Sequence, residues 1–211
     1  MLKRLLLSLI LMAPAYVTAE DQAMLKFVIN GDTLIYDTET NVSGDDAEIE
    51  NDDVDQMRSL LRSNPGITTL ELNSGGGSVY AGDEMARIII DFGLDTVVSG
   101  ECISSCVNVF LGGNARRMMR GSKIGFHQRY WSEKSIKKYY DRWHEDENWE
   151  TPFEFTSWVY EDTQAETYED LMYIVSRGVE PGFAIRTKRV NNDDEWFPSR
   201  EELVKAGVLR D

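Results

Sequence analysis

Residues 67–93 read ITTLELNSGGGSVYAGDEMARIIIDFG, and their pattern decides the fold class. Ile67–Leu72 is β-branched and alternating, and Pro65-Gly66 precedes it, so it reads as a strand. Gly75-Gly76-Gly77 ends that strand in a turn where positive φ and close backbone approach are both permitted. Val79, Met85, Ile88, Ile89 and Phe92 then recur at helical spacing up to Gly93, a plausible C-terminal stop. Leu94–Val98 is strand-like again, and Ile103–Leu111 is a small apolar run closed by Gly112-Gly113. Arg116–Arg120 and Ile124–His127 read as two more short strands. Strand, turn, helix, strand, helix and strand in that order predict a mainly parallel sheet with crossover helices. The fold class is α/β.

Working outward, Leu25–Asn30 and Thr33–Tyr36 flank Gly31-Asp32 and suit a hairpin. Gly44–Asp55 is densely acidic and leads into Met57–Arg62, which reads as a loop followed by the solvated face of a helix. Ser132 to about Arg177 is helical in pattern and rich in aromatic and charged residues. Ser199–Ala206 is a short helix, with Ser199 and Glu202 forming a capping box. Met1–Ala19 has a basic start, a short apolar stretch and a small-residue exit, the layout of a secretory signal peptide. That stretch is shorter than the roughly 17–25 residues of a membrane span. The expectation is an exported protein, periplasmic or secreted, with one domain over residues 20–211 and no stable membrane association after cleavage.

Composition excludes several functions. The chain has 211 residues and a formal charge of −15, which argues against nucleic acid or an anionic membrane as partner. Two Cys and two His (His127 and His144) cannot build a zinc cage or a multi-histidine centre, so neither metal nor cofactor is expected. The glycine spacing does not match a dinucleotide site.

Three features remain that can do chemistry. Amides of the Gly75–Gly77 turn, at a strand-to-helix junction, can hold an oxyanion, or the turn is simply tight. Gly100–Cys106 is a strand end running into a helix, where Ser104 or Ser105 either feels the helix dipole as a nucleophile or caps the helix. His127 stands at a strand end, whereas His144 lies in a charged helix and reads as solvated surface.

Leu72–Gly82, Gly100–Gly112 and Ile124–Gln128 together resemble the proteolytic subunit of the Clp protease and, more broadly, the Clp/crotonase superfamily. The likeness covers residues 67–128 well and 195–211 loosely, and Cys102-x-Ser104-x-Cys106 resembles a group of exported Clp-like proteins. It implies a serine endopeptidase acting on peptides or unfolded proteins, with Ser104 as nucleophile and His127 as general base. The backbone N–H groups of Gly76 and Ser105 would form the oxyanion hole. The orienting acid falls at Glu195 when aligned on Gly207. Asp193 and Asp194 lie just upstream, and Asp194 is taken first because the family residue is Asp. A homo-oligomer is left open, since Ser132–Arg177 shows no clear match to the ring-stacking segment.

The sequence also departs from the family. Gly75 replaces a proline, and Ser105-Cys106 replaces Met-Gly. Cys102 and Cys106 within one helix would hold their Cβ atoms about 5–6 Å apart, too far for a disulfide. They can pair across the nucleophile if Cys102 precedes the first helical turn; otherwise they are two small buried thiols. The alternative to an enzyme is an inactive Clp-like binding module that uses Trp131, Tyr139, Tyr140, Trp143 and Trp149 as its surface. Acyl-thioester chemistry is disfavoured by export and by the lack of a basic cluster for coenzyme phosphates.

Overall fold

Gly31, at φ 63°, turns β1 (Phe27–Asn30) back into antiparallel β2 (Thr33–Asp37), the hairpin expected from the sequence. The computed structural model describes residues 26–40 and 47–211, so the expected leader lies outside the described residues. Among the described residues, every pairing between strands from β2 onward is parallel. β2 pairs with β3 (Thr69–Ser74), and β3 with β4 (Asp95–Ile103). The long β4 takes two partners along one edge, β5 (Arg116–Met118) and then β6 (Lys123–Gly125). The crossovers are α1 (Asn51–Ser63), α2 (Val79–Phe92) and α3 (Ser105–Leu111). The chain finishes with α4 (Glu133–Trp143), α5 (Pro152–Ser176), α6 (Pro181–Thr187) and α7 (Arg200–Lys205). This is the expected α/β architecture; α6 lies outside the predicted helical region.

Leu34, Leu70, Leu72 and Val98 of the sheet meet Met57 of α1 and Met85 and Ile89 of α2 in the core. Each such side chain contributes roughly 1.5–3 kcal/mol by leaving water. Ser78 starts α2 by accepting from the Ala81 amide, and Gly93, at φ 67°, ends it. Every residue of α3 is buried, so the helix that follows Ser104 belongs to the core.

Two buried charges and one aromatic cluster correct the sequence reading. Helix α1 begins inside the acidic run, and Asp53 is only 3% exposed. It accepts from Tyr36 Oη at 2.6 Å and pairs with Lys26 at 3.0 Å. Burial, then the charge of Asp53, pushes the Tyr36 phenol far up, so Tyr36 stays a donor. Arg116, 1% exposed, donates to the carbonyls of Leu111, Arg177, Gly207 and Val208 and ties the C-terminal segment to the end of α3. Burial, ahead of repulsion from Arg210 and Arg177, lowers its pKa to about 10.

The aromatic surface expected around Trp131–Trp149 is a small second core between α4 and the start of α5. The Tyr139 ring lies 5.0–6.4 Å from those of Trp131, Trp143, Trp149, Phe155 and Trp158. Trp149 and Phe155 are buried there. His144 is half-buried, stacked on Tyr140 and bonded through Nδ1 to the Tyr140 carbonyl at 3.1 Å.

Candidate active site

An irregularity in the β3–β4 pairing brings the end of β4 to the glycine turn. Leu72 faces Val98, but Ser74 faces Cys102. Asn73 fills the gap, its Oδ1 accepting from the Glu101 amide at 2.9 Å. A Cβ on Gly100 would stand 2.1 Å from that oxygen, so any larger residue would push the Asn73 side chain off the Glu101 amide. Bulges of this kind re-aim a strand end.

Ser104 sits where β4 turns into α3, at φ 58° and ψ −127°. Among the described residues, Asn148 is the only other non-glycine residue at positive φ. Such backbone costs about 1–3 kcal/mol and persists only where its surroundings enforce it. A serine on a sharp strand-to-helix turn presents its hydroxyl outward. Ser104 Oγ makes no capping bond and has no hydrogen-bond partner among the described residues. The helix-cap role is therefore excluded for Ser104.

Glycines press the neighbouring elements onto this turn. A Cβ on Gly76, at φ 105°, would lie 2.8 Å from Ser104 Cβ and 3.3 Å from the Ser105 nitrogen. One on Gly82 of α2 would lie 2.9 Å from the Ser105 carbonyl oxygen. The amides of the glycine turn are not equivalent. Gly75 donates to Glu39 Oε1 at 2.7 Å, and Gly76 donates to Ser74 Oγ at 3.2 Å. The expectation of a free Gly76 donor is thereby corrected. The Gly77 amide has no acceptor among the described residues, and neither does that of Ser105, the first residue of α3.

A disulfide joins Cys102 to Cys106, with Cα atoms 5.3 Å apart and both residues fully buried. Cys102 belongs to β4 and Cys106 to α3, so the pair is not confined to one helix and spans Ser104. The free-thiol alternative falls.

His127 comes from the adjacent chain segment. Ile103 faces Gly125, and the Ser104 amide donates to the Gly125 carbonyl at 3.3 Å. In that register Ser104 is opposite Phe126, with His127 one residue further on. β6 ends at Gly125, two residues earlier than the sequence suggested. No hydrogen bond joins Ser104 Oγ to His127. The imidazole Nδ1 instead bonds to the Gln128 carbonyl at 2.7 Å. A carbonyl can only accept, so Nδ1 is the donor, and in the neutral imidazole Nε2 is then the acceptor. That tautomer suits a general base toward a hydroxyl.

The acid does not arrive. Phe126 and Trp196 exchange two backbone hydrogen bonds at 3.0 Å, which sets Glu195 opposite His127. Asp194 closes a turn onto Asn191, and its carboxylate accepts from the Glu195 amide at 2.8 Å. Asp193, Asp194 and Glu195 are exposed, and none bonds to His127. The expected Ser-His-Asp arrangement is thus absent in this geometry. Glu195 acts instead on Lys123, whose pKa is raised first by its hydrogen bond to Glu101 and further by the field of Glu195.

Sequence reasoning missed a cluster of charged and polar groups beside the segment that carries His127. Asp170 of α5, its side chain 2% exposed, accepts from Arg129 Nη2 at 2.9 Å and pairs with Lys188. Asn108 of α3 reaches Asp170 at 3.3 Å and Asp83 at 2.6 Å. Nothing in the acidic pattern of α5 separates Asp170 from its exposed neighbours Glu166 and Glu169. Among the described residues, no three metal-ligating side chains converge.

No protein-family model and no curated protein matches the chain. Among solved structures, a point mutant of ClpP1 from Listeria monocytogenes matches with a TM-score of 0.50 and 17% sequence identity. The match covers 77% of this chain and 84% of that one. The likeness shows the fold, a Clp/crotonase-like α/β arrangement.

Proposed function

We propose that this chain is an exported serine peptidase of Clp-like fold that cleaves peptides or unfolded segments. The observation that carries the reading is Ser104 itself, held at φ 58° with its hydroxyl unengaged. Ser104 Oγ attacks the scissile carbonyl carbon while His127 Nε2 takes its proton. The oxyanion of the tetrahedral intermediate accepts from the Ser105 amide and from an amide of the Gly75–Gly77 turn, and removing one such donor typically costs about 10²–10³ in kcat. His127 then protonates the leaving amine, and water repeats the sequence on the acyl-enzyme. The imidazole must close onto the hydroxyl when substrate binds, as catalytic hydrogen bonds commonly do. The scheme needs neither metal nor cofactor.

The fold likeness to ClpP1 supports a serine protease at the coarse level. The Cys102–Cys106 disulfide supports export to an oxidising compartment. No described helix is long and apolar enough to cross a membrane. The acid excess favours cationic or neutral substrates.

The test is cleavage of an unstructured fluorogenic peptide. Ser104→Ala should abolish turnover, and His127→Ala should lower it by about 10²–10⁴. Undiminished cleavage by Ser104→Ala overturns the reading. The missing Ser104–His127 hydrogen bond favours a second reading, a binding module that kept the fold. Its signature is no cleavage by the wild type and unchanged partner binding by Ser104→Ala.

A further inference from the structure

Among the described residues His127 has no carboxylate on its Nδ1, yet a hydrogen bond holds its ring. The Gln128 carbonyl fixes it, and Gln128 is itself fixed twice by the segment after α6. Its amide donates to the Val190 carbonyl at 2.8 Å, and its Nε2 donates to the Lys188 carbonyl at 2.7 Å. Lys188 and Arg129, the two cations next to these bonds, converge on the carboxylate of Asp170. Asn108, four residues beyond Ser104, touches the same carboxylate at 3.3 Å. One buried acid therefore joins the helix of the nucleophile to both segments that grip the base.

We propose that Asp170 is a positioning residue for His127, clamping Gln128 so that a backbone carbonyl, and not a carboxylate, orients the imidazole. The inference rests on the reading of His127 as general base and deepens it. An uncharged residue at 170 strands Lys188, leaves Arg129 only the longer contact to Asp83 at 3.5 Å, and frees the 127–129 segment to rotate. The imidazole then loses its enforced tautomer. Asp170 touches no substrate; its effect passes through Arg129, Lys188 and Gln128.

Imidazole nitrogen NMR of His127 in the full chain reads the tautomer directly. The wild type should show protonated Nδ1, and so should a variant in which Asp193→Asn, Asp194→Asn and Glu195→Gln are combined. Folded Asp170→Asn should show mixed tautomers, with peptide kcat lowered about tenfold or more and KM little changed. Arg129→Ala should behave like Asp170→Asn, and Arg129→Lys should restore most of the rate. If Asp170→Asn does not fold, Arg129→Met and Lys188→Met give the same readout, since each leaves Asp170 one cation. An unchanged tautomer in folded Asp170→Asn overturns the inference. So does loss of the Nδ1 proton in the variant lacking the three exposed acids. If the wild type cleaves nothing, the peptidase reading falls while the tautomer still decides this one.

Discussion

On the nucleophile side, Ser104 is locked by covalent and steric constraint: a disulfide spans it, a fully buried helix follows it, and glycine backbone lies against it. On the His127 side, the ring hangs on a chain of hydrogen bonds to backbone carbonyls, flanked by two ion pairs that converge on Asp170. The difference has a physical consequence. Close packing cannot slide by a fraction of an ångström without large cost, whereas a charge network can open and re-form. In the proposed scheme Ser104 is packed in place in advance, and the 127–129 segment carries the held imidazole onto it as a unit.

If that contrast is right, steric change on the nucleophile side does the most damage. Gly76→Ala places a Cβ 2.8 Å from both Ser104 Cβ and the Ile103 carbonyl oxygen. Thermal melts should show a loss of about 1–3 kcal/mol. Fluorophosphonate labelling of Ser104 should fall roughly 10²-fold, the cost of a displaced reacting group. Normal labelling would mean the turn does not press on the elbow.

Joint Cys102→Ala and Cys106→Ala comes next. Opening so short a loop should cost about 2 kcal/mol in denaturant titrations. Labelling should fall less than in Gly76→Ala, because packing around α3 survives. A gain in labelling would contradict a supporting role for the disulfide.

A smaller, pH-dependent effect belongs to Asp37, which accepts from Asn73, the residue that fills the β4 irregularity. Partial burial acts to raise its pKa, but hydrogen bonds from Thr40, the Glu39 amide and Asn73 outweigh it and hold the pKa below the usual carboxylate value. A folded-state pKa below the unfolded one gives stability that is present above about pH 4 and lost as pH falls through the folded value. Asp37→Asn should therefore melt earlier than wild type at neutral pH, and the gap should close in acid. A gap that widens in acid would reverse the sign.

The smallest effect on Ser104 is expected from Trp149→Ala. Emptying the aromatic cluster between α4 and α5 should loosen that hairpin, seen as faster amide exchange there. Ser104 labelling should stay within about twofold, because the cluster lies apart from the elbow contacts. A collapse of labelling would join the two regions energetically.

What the sequence made legible follows the same division. The glycine turn, the period of α2 and the Cys102-x-Ser104-x-Cys106 spacing are local signals, and they located the sheet, the elbow and the disulfide partners. Asp53 escaped notice because its burial depends on Tyr36 and Lys26 from another layer. The base-side clamp was invisible for a similar reason. Asp170 meets Arg129 and Asn108 from 41 and 62 residues away, and no local pattern marks which acid of α5 turns inward. The residue type of the resembled family favoured Asp194, whose carboxylate is taken by the neighbouring amide. At the glycine turn, only the hydrogen bond to Ser74 shows that the Gly76 amide is committed while that of Gly77 is free.

The most direct measurement is to expose the folded chain to a fluorophosphonate and map the adduct by peptide mass spectrometry between about pH 6 and 9, where an imidazole loses its proton. The account predicts one adduct on the peptide bearing Ser104, rising with pH and lost when the chain is unfolded first. An unmodified Ser104 in well-folded protein across that range, or equal modification of the unfolded chain, would contradict it.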